Sequence, residues 1–293
     1  MKKTFSLPNG ETLAYSEKGQ GSRVLVLIHG NLSSSVYFQP LIDRLPDSLR
    51  VIAPDLRGFG DSTYQNRVRS LRELAEDLAL FLDGLKIPKA TIAGWSLGGG
   101  VAMEFAAAYP EKTEKLILIA STTHRGYPIY KKNAAFQPLV GQPYASPEEM
   151  ATDPLQVKPV VDAIAAKNAA FLAYIYDLTI YTHNKPTAEA NAVYIAETLK
   201  QRNLPDVDFA LAALNMGEVP NDYGPGTKTI GHIGCPVLHV WGTLDRTVPE
   251  WMVLDNIRAL ENQSRYVRLE ACGHSPLVDC PDALAAAVRE FLS

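Results

Sequence analysis

The stretch Gly94-Trp95-Ser96-Leu97-Gly98-Gly99-Gly100 constrains this chain more than any other. Before it, Lys89-Ala90-Thr91-Ile92-Ala93 is short, apolar and β-prone. After it, residues 101–108 are rich in helix formers. A strand therefore feeds a helix through a Gly-x-Ser-x-Gly turn, the pattern and context of a nucleophile elbow. Crowding explains the glycines: the positions two before and two after the serine nearly touch, so Gly94 and Gly98 carry no side chain. Ser96 is expected in a strained backbone conformation with its hydroxyl exposed, and strain of about 1–3 kcal/mol of this kind marks working sites. The plainer alternative is a glycine-rich strand–helix turn with an incidental serine.

The rest of the chain alternates in the same way. Residues 3–18 flank the turn signal Pro8-Asn9-Gly10 and read as a hairpin. Val24–Ile28 is a continuous apolar run, as in a strand buried on both faces, and it ends in His29-Gly30-Asn31. A helix is expected over 36–45, a strand over 50–55, a helix over 70–86 and a strand over 116–120. From 124 to 231 no buried-strand pattern recurs. Helical spacing dominates there, notably over 159–181 and 187–202, and tyrosines and phenylalanines are dense. Alternation resumes with strands near 236–241 and 266–269 and helices over 250–260 and 281–292. The expected architecture is α/β: a mostly parallel twisted sheet with helices on both faces. Residues 1–123 and 232–293 form its two parts, and 124–231 form a helical cap over the carboxyl ends of the strands, where such sheets bind ligands.

A serine hydroxyl needs a base to take its proton. Of the six histidines, His29 belongs to a structural turn and His239 lies inside a strand, while His124, His183 and His232 belong to or border the cap. His274 follows the last strand among loop-forming residues and is the expected base. The base needs a carboxylate to hold its tautomer, and with this elbow the acid falls between serine and histidine in the chain. The strand ending at 120 has no acidic residue near its end. Asp245, in Gly242-Thr243-Leu244-Asp245-Arg246, is therefore the expected acid, against the simpler role of a turn-forming aspartate. Asp279 reads as a helix-start residue, and Asp55 and Asp61 as braces of the loop 57–62. Two N–H donors must meet the oxyanion: the amide of Leu97, at the positive end of its helix, and that of Asn31, with Leu32 as the competitor. This chemistry calls for no metal or cofactor.

Composition narrows the setting. The net charge of −4 does not indicate a nucleic-acid partner, and no run approaches the roughly 18 apolar residues of a membrane span. The first eight residues carry two lysines but no apolar core, which argues against a signal peptide. Cys235, Cys272 and Cys280 lack metal-ligand spacing, and the reading favours reduced thiols in a cytoplasm over a Cys272–Cys280 disulfide.

With these parts in place the sequence resembles the α/β-hydrolase superfamily over almost its whole length. The elbow, His29-Gly30, the Arg57-Gly58-Phe59-Gly60-Asp61-Ser62 loop, Asp245 and Gly273-His274 carry the likeness. Gly94–Gly98, Arg125–Lys132, Ile180–Asn184 and His274–Cys280 look like the bacterial intracellular poly(3-hydroxybutyrate) depolymerases with a tryptophan-containing lipase box. That resemblance implies a serine esterase cleaving a short-chain polyester or its oligomers to 3-hydroxybutyrate. Trp95, His124, Tyr127 and Tyr130 are the candidates for contacting substrate, although any one cap aromatic can equally be cap core. Arg125, Lys131 and Lys132 offer a carboxylate attractant or a solvated turn. An exposed apolar cap face would suit adsorption to a polymer surface. Two alternatives stay open: a triad hydrolase of another substrate (lactone, carbon–carbon bond or perhydrolysis) and a ligand-binding protein of the same fold.

Overall fold

The computed structural model describes residues 2–293. The elements run β1 (Lys3–Ser6), β2 (Thr12–Lys18), β3 (Arg23–Ile28), α1 (Gln39–Ile42), β4 (Leu49–Pro54), α2 (Leu71–Gly84), β5 (Ala90–Trp95), α3 (Leu97–Ala108) and β6 (Thr113–Ile119). There follow β7 (Tyr130–Lys132), β8 (Pro138–Pro143), α4 (Pro147–Met150), α5 (Lys158–Ala165), α6 (Ala169–Thr179), α7 (Ala188–Thr198) and α8 (Leu204–Ala213). The chain closes with β9 (Val237–Gly242), α9 (Glu250–Ala259), β10 (Ser264–Leu269), α10 (Pro276–Asp279) and α11 (Pro281–Leu292).

Eight strands form one sheet in the order β1-β2-β4-β3-β5-β6-β9-β10. Only the β1–β2 and β2–β4 pairs are antiparallel. The continuous apolar runs follow from burial on both faces. Val26, Ile28, Ile92 and Leu116 face the layer of α2 and α3, whereas Leu25, Leu27, Ile117 and Val240 face that of α1 and α11. Each such side chain contributes about 1.5–3 kcal/mol through burial. In α2 a Ser70 cap receives the Glu73 amide, and Leu71, Leu74, Leu78, Phe81 and Leu82 form the buried stripe.

Three expectations need correction. The helix over 36–45 is a 3-10 turn, Ser35–Phe38, followed by the single turn α1. Pro40 has no amide proton for a continuous helix and instead sits in the first turn of α1. The helix over 159–181 is two helices, because Lys167 turns left-handed (φ 53°) and Asn168 caps α6 through the Phe171 amide. The segment between β6 and β9 is not wholly helical: β7 and β8 form a two-stranded antiparallel ribbon. Its strands are half-buried or exposed, so no apolar run announces them.

The cysteine expectation also changes. Cys272 and Cys280 form a disulfide with Cα atoms 6.2 Å apart, and Cys235 is the free thiol. Sequence spacing alone does not show that the chain folds back through α10 to bring the two together. Among the described residues, no helix is long and apolar enough to cross a membrane.

The segment between β6 and β9 is anchored to the sheet by charge and by aromatic packing. Lys2 pairs with Asp55, Asp61 and Glu197 at 2.7, 3.1 and 2.9 Å, and Lys200 joins Asp61 and Glu197. This acidic cluster brings its oxygens close enough for a cation, but the two ammonium groups already neutralise it. Tyr37 stacks on Tyr194 with ring centroids 4.4 Å apart and also packs against Tyr176.

Candidate active site

The carboxyl ends of β3, β5, β9 and β10 converge on one edge of the sheet, and the site is assembled there. Ser96, between β5 and α3, has φ 57° and ψ −120°, a conformation that non-glycine residues rarely adopt. The turn leaves no room beside it. A Cβ on Gly94 would stand 2.1 Å from the Gly98 carbonyl oxygen, and one on Gly98 would stand 2.2 Å from that of Ile28. Gly98→Val is therefore expected to lose about 3 kcal/mol or more, as overpacking against rigid backbone does. Thermal unfolding and soluble yield check this against Gly231→Ala, where an added Cβ meets nothing within 4 Å.

His274 stands beside the serine. Its Nε2 is 3.0 Å from Ser96 Oγ and its Nδ1 is 2.9 Å from Asp245 Oδ2. A carboxylate only accepts, so Nδ1 carries the proton and Nε2 is left to accept from the serine hydroxyl. The other oxygen of Asp245 receives the Thr247 and Val248 amides, each at 2.8 Å. The turn contacts and the contact to His274 thus belong to one side chain. Both partners are almost fully enclosed, with side-chain exposures of 3% for His274 and 0% for Asp245. The His274 loop is braced from two sides: Trp95 Nε1–H donates to the His274 carbonyl at 2.8 Å, and Asp279 Oδ2 receives the Gly273 amide at 2.6 Å. Asp279 ends α10 and braces this loop, rather than starting the next helix.

On the side expected to meet the oxyanion, the candidate amides differ in what they already bond. Among the described residues, neither the Asn31 nor the Leu97 amide donates to another protein atom. The Leu32 amide is taken by Gln201 Oε1 at 2.9 Å and by Asn31 Oδ1 at 3.0 Å. The turn is pinned from the segment between β6 and β9: Gln201 Nε2 donates to Asn31 Oδ1 at 2.8 Å, and Asn31 Nδ2 donates to Asp208 Oδ1 at 2.7 Å. Burial pushes the Asp208 carboxyl up to about 7.

Above Ser96 lies a chamber of about 280 Å³, at the small end for a ligand pocket. Trp95, Ser96, His274, Asn31, Tyr127, Ile175, Asp208 and Arg246 are among the residues lining it. A wider groove of about 890 Å³ lies elsewhere and holds none of Ser96, Asp245 and His274. It holds the Arg57–Asp77 and Arg67–Asp206 ion pairs.

Of the four expected substrate contacts, two reach the chamber. Tyr127 lines it and ties its hydroxyl to the Thr247 carbonyl at 3.0 Å. Trp95 lines it too, although at 2% exposure its ring mainly supports His274. His124 and Tyr130 lie outside it. The His124 ring packs against Asn256, 3.1 Å away, and burial lowers its proton affinity. Tyr130 belongs to the ribbon and donates to Asp222 at 2.5 Å. His29 and His239 are structural: His29 Nε2 receives the Leu56 amide, and His239 Nε2 lies 3.0 Å from the Ser264 hydroxyl. Asp208 and Gln201 belong to the site without any sequence signal, since each sits in a stretch with no motif, whereas Arg246 directly follows Asp245, a signal that the sequence reading passes over.

A family model of the α/β hydrolase fold matches residues 23–281. The chain is 28% identical over 283 residues to a pimeloyl-[acyl-carrier protein] methyl ester esterase of Vibrio atlanticus (strain LGP32), covering 96% of this chain and 98% of that protein. It is 25% identical to lipase 1 of Psychrobacter immobilis, over 99% of this chain and 84% of the relative. Among solved structures, an esterase from Exiguobacterium antarcticum matches with a TM-score of 0.76 at 17% identity, covering 100% of this chain and 99% of that one. The enol-lactonase of Burkholderia xenovorans LB400 matches with a TM-score of 0.72 at 20% identity, covering 99% of each chain. These structures share the fold. The parallel sheet, the strained turn between β5 and α3 and the family match over residues 23–281 lead to one conclusion: the chain belongs to the α/β-hydrolase fold family.

Proposed function

We propose that this protein is a serine esterase acting on short-chain hydroxyalkanoate esters, with poly(3-hydroxybutyrate) or its oligomers as the substrate class. The observation that carries the esterase reading is the hydrogen-bonded chain Ser96–His274–Asp245 at the floor of a small chamber. In this mechanism Ser96 Oγ attacks the ester carbonyl as its proton passes to His274 Nε2. The imidazolium is steadied by Asp245, and the oxyanion meets the amides of Asn31 and Leu97. Collapse expels the alcohol, which takes the proton from His274. Water, deprotonated by the same histidine, then attacks the acyl-enzyme and releases the acid and free Ser96.

The hydroxyalkanoate part of the reading rests on the likeness of Gly94–Gly98, Arg125–Lys132, Ile180–Asn184 and His274–Cys280 to intracellular poly(3-hydroxybutyrate) depolymerases. It is supported by a chamber sized for a short acyl unit. Tyr174 and Leu178 stand exposed on α6, the helix whose Ile175 and Thr179 line the chamber, which suits contact with an apolar polymer surface. The relative from Vibrio atlanticus, matched end to end, favours a second reading, a methyl esterase of a longer acyl chain.

Product analysis separates the readings. Purified protein is incubated with amorphous poly(3-hydroxybutyrate), with the 3-hydroxybutyrate dimer, with a lactone and with fatty acyl methyl esters. Release of 3-hydroxybutyrate at the highest kcat/KM is the expected result. Faster turnover of a lactone or of the methyl esters would move the substrate assignment, and turnover of none would overturn the esterase reading.

A further inference from the structure

We propose that Asp208 accepts a hydrogen bond from a hydroxyl group on the acyl part of the substrate, and so selects hydroxyacyl esters over their deoxy counterparts. The inference rests on the esterase reading above and deepens it.

Asp208 lies on α8 and is 7% exposed, yet it lines the chamber that holds Ser96. One carboxyl oxygen, Oδ1, receives Asn31 Nδ2–H at 2.7 Å. Among the described residues the other oxygen has no hydrogen-bond partner, and no lysine, arginine or histidine pairs with the carboxyl. In so enclosed a side chain the remaining oxygen relies on water or a ligand for its hydrogen bond. Here the ligand space adjoins it. The same residue, through Asn31, steadies the turn that carries the proposed oxyanion amide, and it lines the same chamber as Ser96.

The chemistry of the chamber chooses the kind of donor. Burial pushes the Asp208 carboxyl up, and a hydroxyl suits both of its forms, donating to the free oxygen of the carboxylate and accepting from the O–H of the acid. Arg246 lines the same chamber, has no carboxylate partner among the described residues, and makes only a long contact, 3.5 Å, to the Leu178 carbonyl oxygen. A cationic substrate would meet its charge. An acyl chain bearing a hydroxyl satisfies Asp208, whereas the corresponding deoxy chain leaves it without a partner.

The test compares ethyl 3-hydroxybutyrate with ethyl butyrate in a pH-stat, using wild type and Asp208→Leu. Wild type is expected to favour the hydroxy ester by about 10- to 100-fold in kcat/KM, the scale of one buried hydrogen bond. In Asp208→Leu, kcat falls on both esters because Asn31 loses a partner, but the ratio between them collapses towards one. A merely structural role would lower both rates and keep the ratio, which would overturn the inference. A wild-type ratio near one would overturn it whatever the variant does, including failure to fold. Absence of turnover on both esters by wild type would instead overturn the esterase reading on which it stands.

Discussion

Ser96→Ala is expected to lower turnover of a short p-nitrophenyl ester by about 10⁶-fold with little change in thermal midpoint. The large effect follows from position. Ser96 Oγ is the atom 3.0 Å from His274 Nε2, at the floor of the chamber. Alanine removes the attacking oxygen and leaves the base without a proton to take. The small structural effect follows from geometry: alanine meets the same φ of 57° that serine already bears, so the elbow neither gains nor relieves strain. Residual catalysis from the two amide donors and from binding is expected at about 10³–10⁴ over the uncatalysed reaction. Labelling with a fluorophosphonate, read by intact mass and peptide mapping, provides the second check. Wild type takes one label at Ser96 and the alanine protein takes none. Undiminished activity in the variant, or labelling elsewhere, would remove Ser96 from the mechanism, and an unreactive wild type would point to a ligand-binding protein.

Asp245→Asn is expected to lower kcat by about 10⁴ while the fold survives. The asparagine carbonyl can still receive the Thr247 and Val248 amides, so the turn after β9 keeps its two 2.8 Å bonds. What changes is the group 2.9 Å from His274 Nδ1, which becomes an amide NH2 and therefore a donor. Nδ1 must then accept and the ring proton moves to Nε2, where it faces the serine hydroxyl. A ring nitrogen that carries a proton cannot take another. The loss should therefore appear in kcat and in kcat/KM alike, with KM nearly unchanged, as for an interaction made in the transition state. Full retention of kcat would show that His274 needs no orienting acid, and Asp245 would then be only a turn former.

Much of this site is legible in the sequence because its parts are local. The elbow spans five residues, and its glycines report a steric fact about one turn. His274 and Asp245 are legible because strand–helix alternation assigns them to particular strand ends, and those ends share one edge of the sheet. The failures also have physical causes. The helix expected over 36–45 breaks at Pro40, where a missing amide outweighs helical spacing. The ribbon of β7 and β8 hides because its exposed strands need no apolar alternation. His124 and Tyr130 look like candidates for substrate contact by neighbourhood in the chain, but Asn256 and Asp222 hold them outside the chamber.

The sequence by itself determined the sheet-and-helix alternation and singled out Ser96, His274 and Asp245, which the fold brings into one hydrogen-bonded chain, because each is written in short-range patterns of apolar runs, glycines and loop formers. Tertiary structure alone decided which residues from the segment between β6 and β9 reach the site. Gln201 and Asp208 lie about 170 residues beyond the turn they pin, and only the packing of that segment on the sheet brings them to Asn31. The same holds for the pairing of Cys272 with Cys280, which depends on the chain folding back through α10. Long-range side-chain contacts of this kind leave no periodicity in the chain, since a single hydrogen bond places no demand on its sequence neighbours.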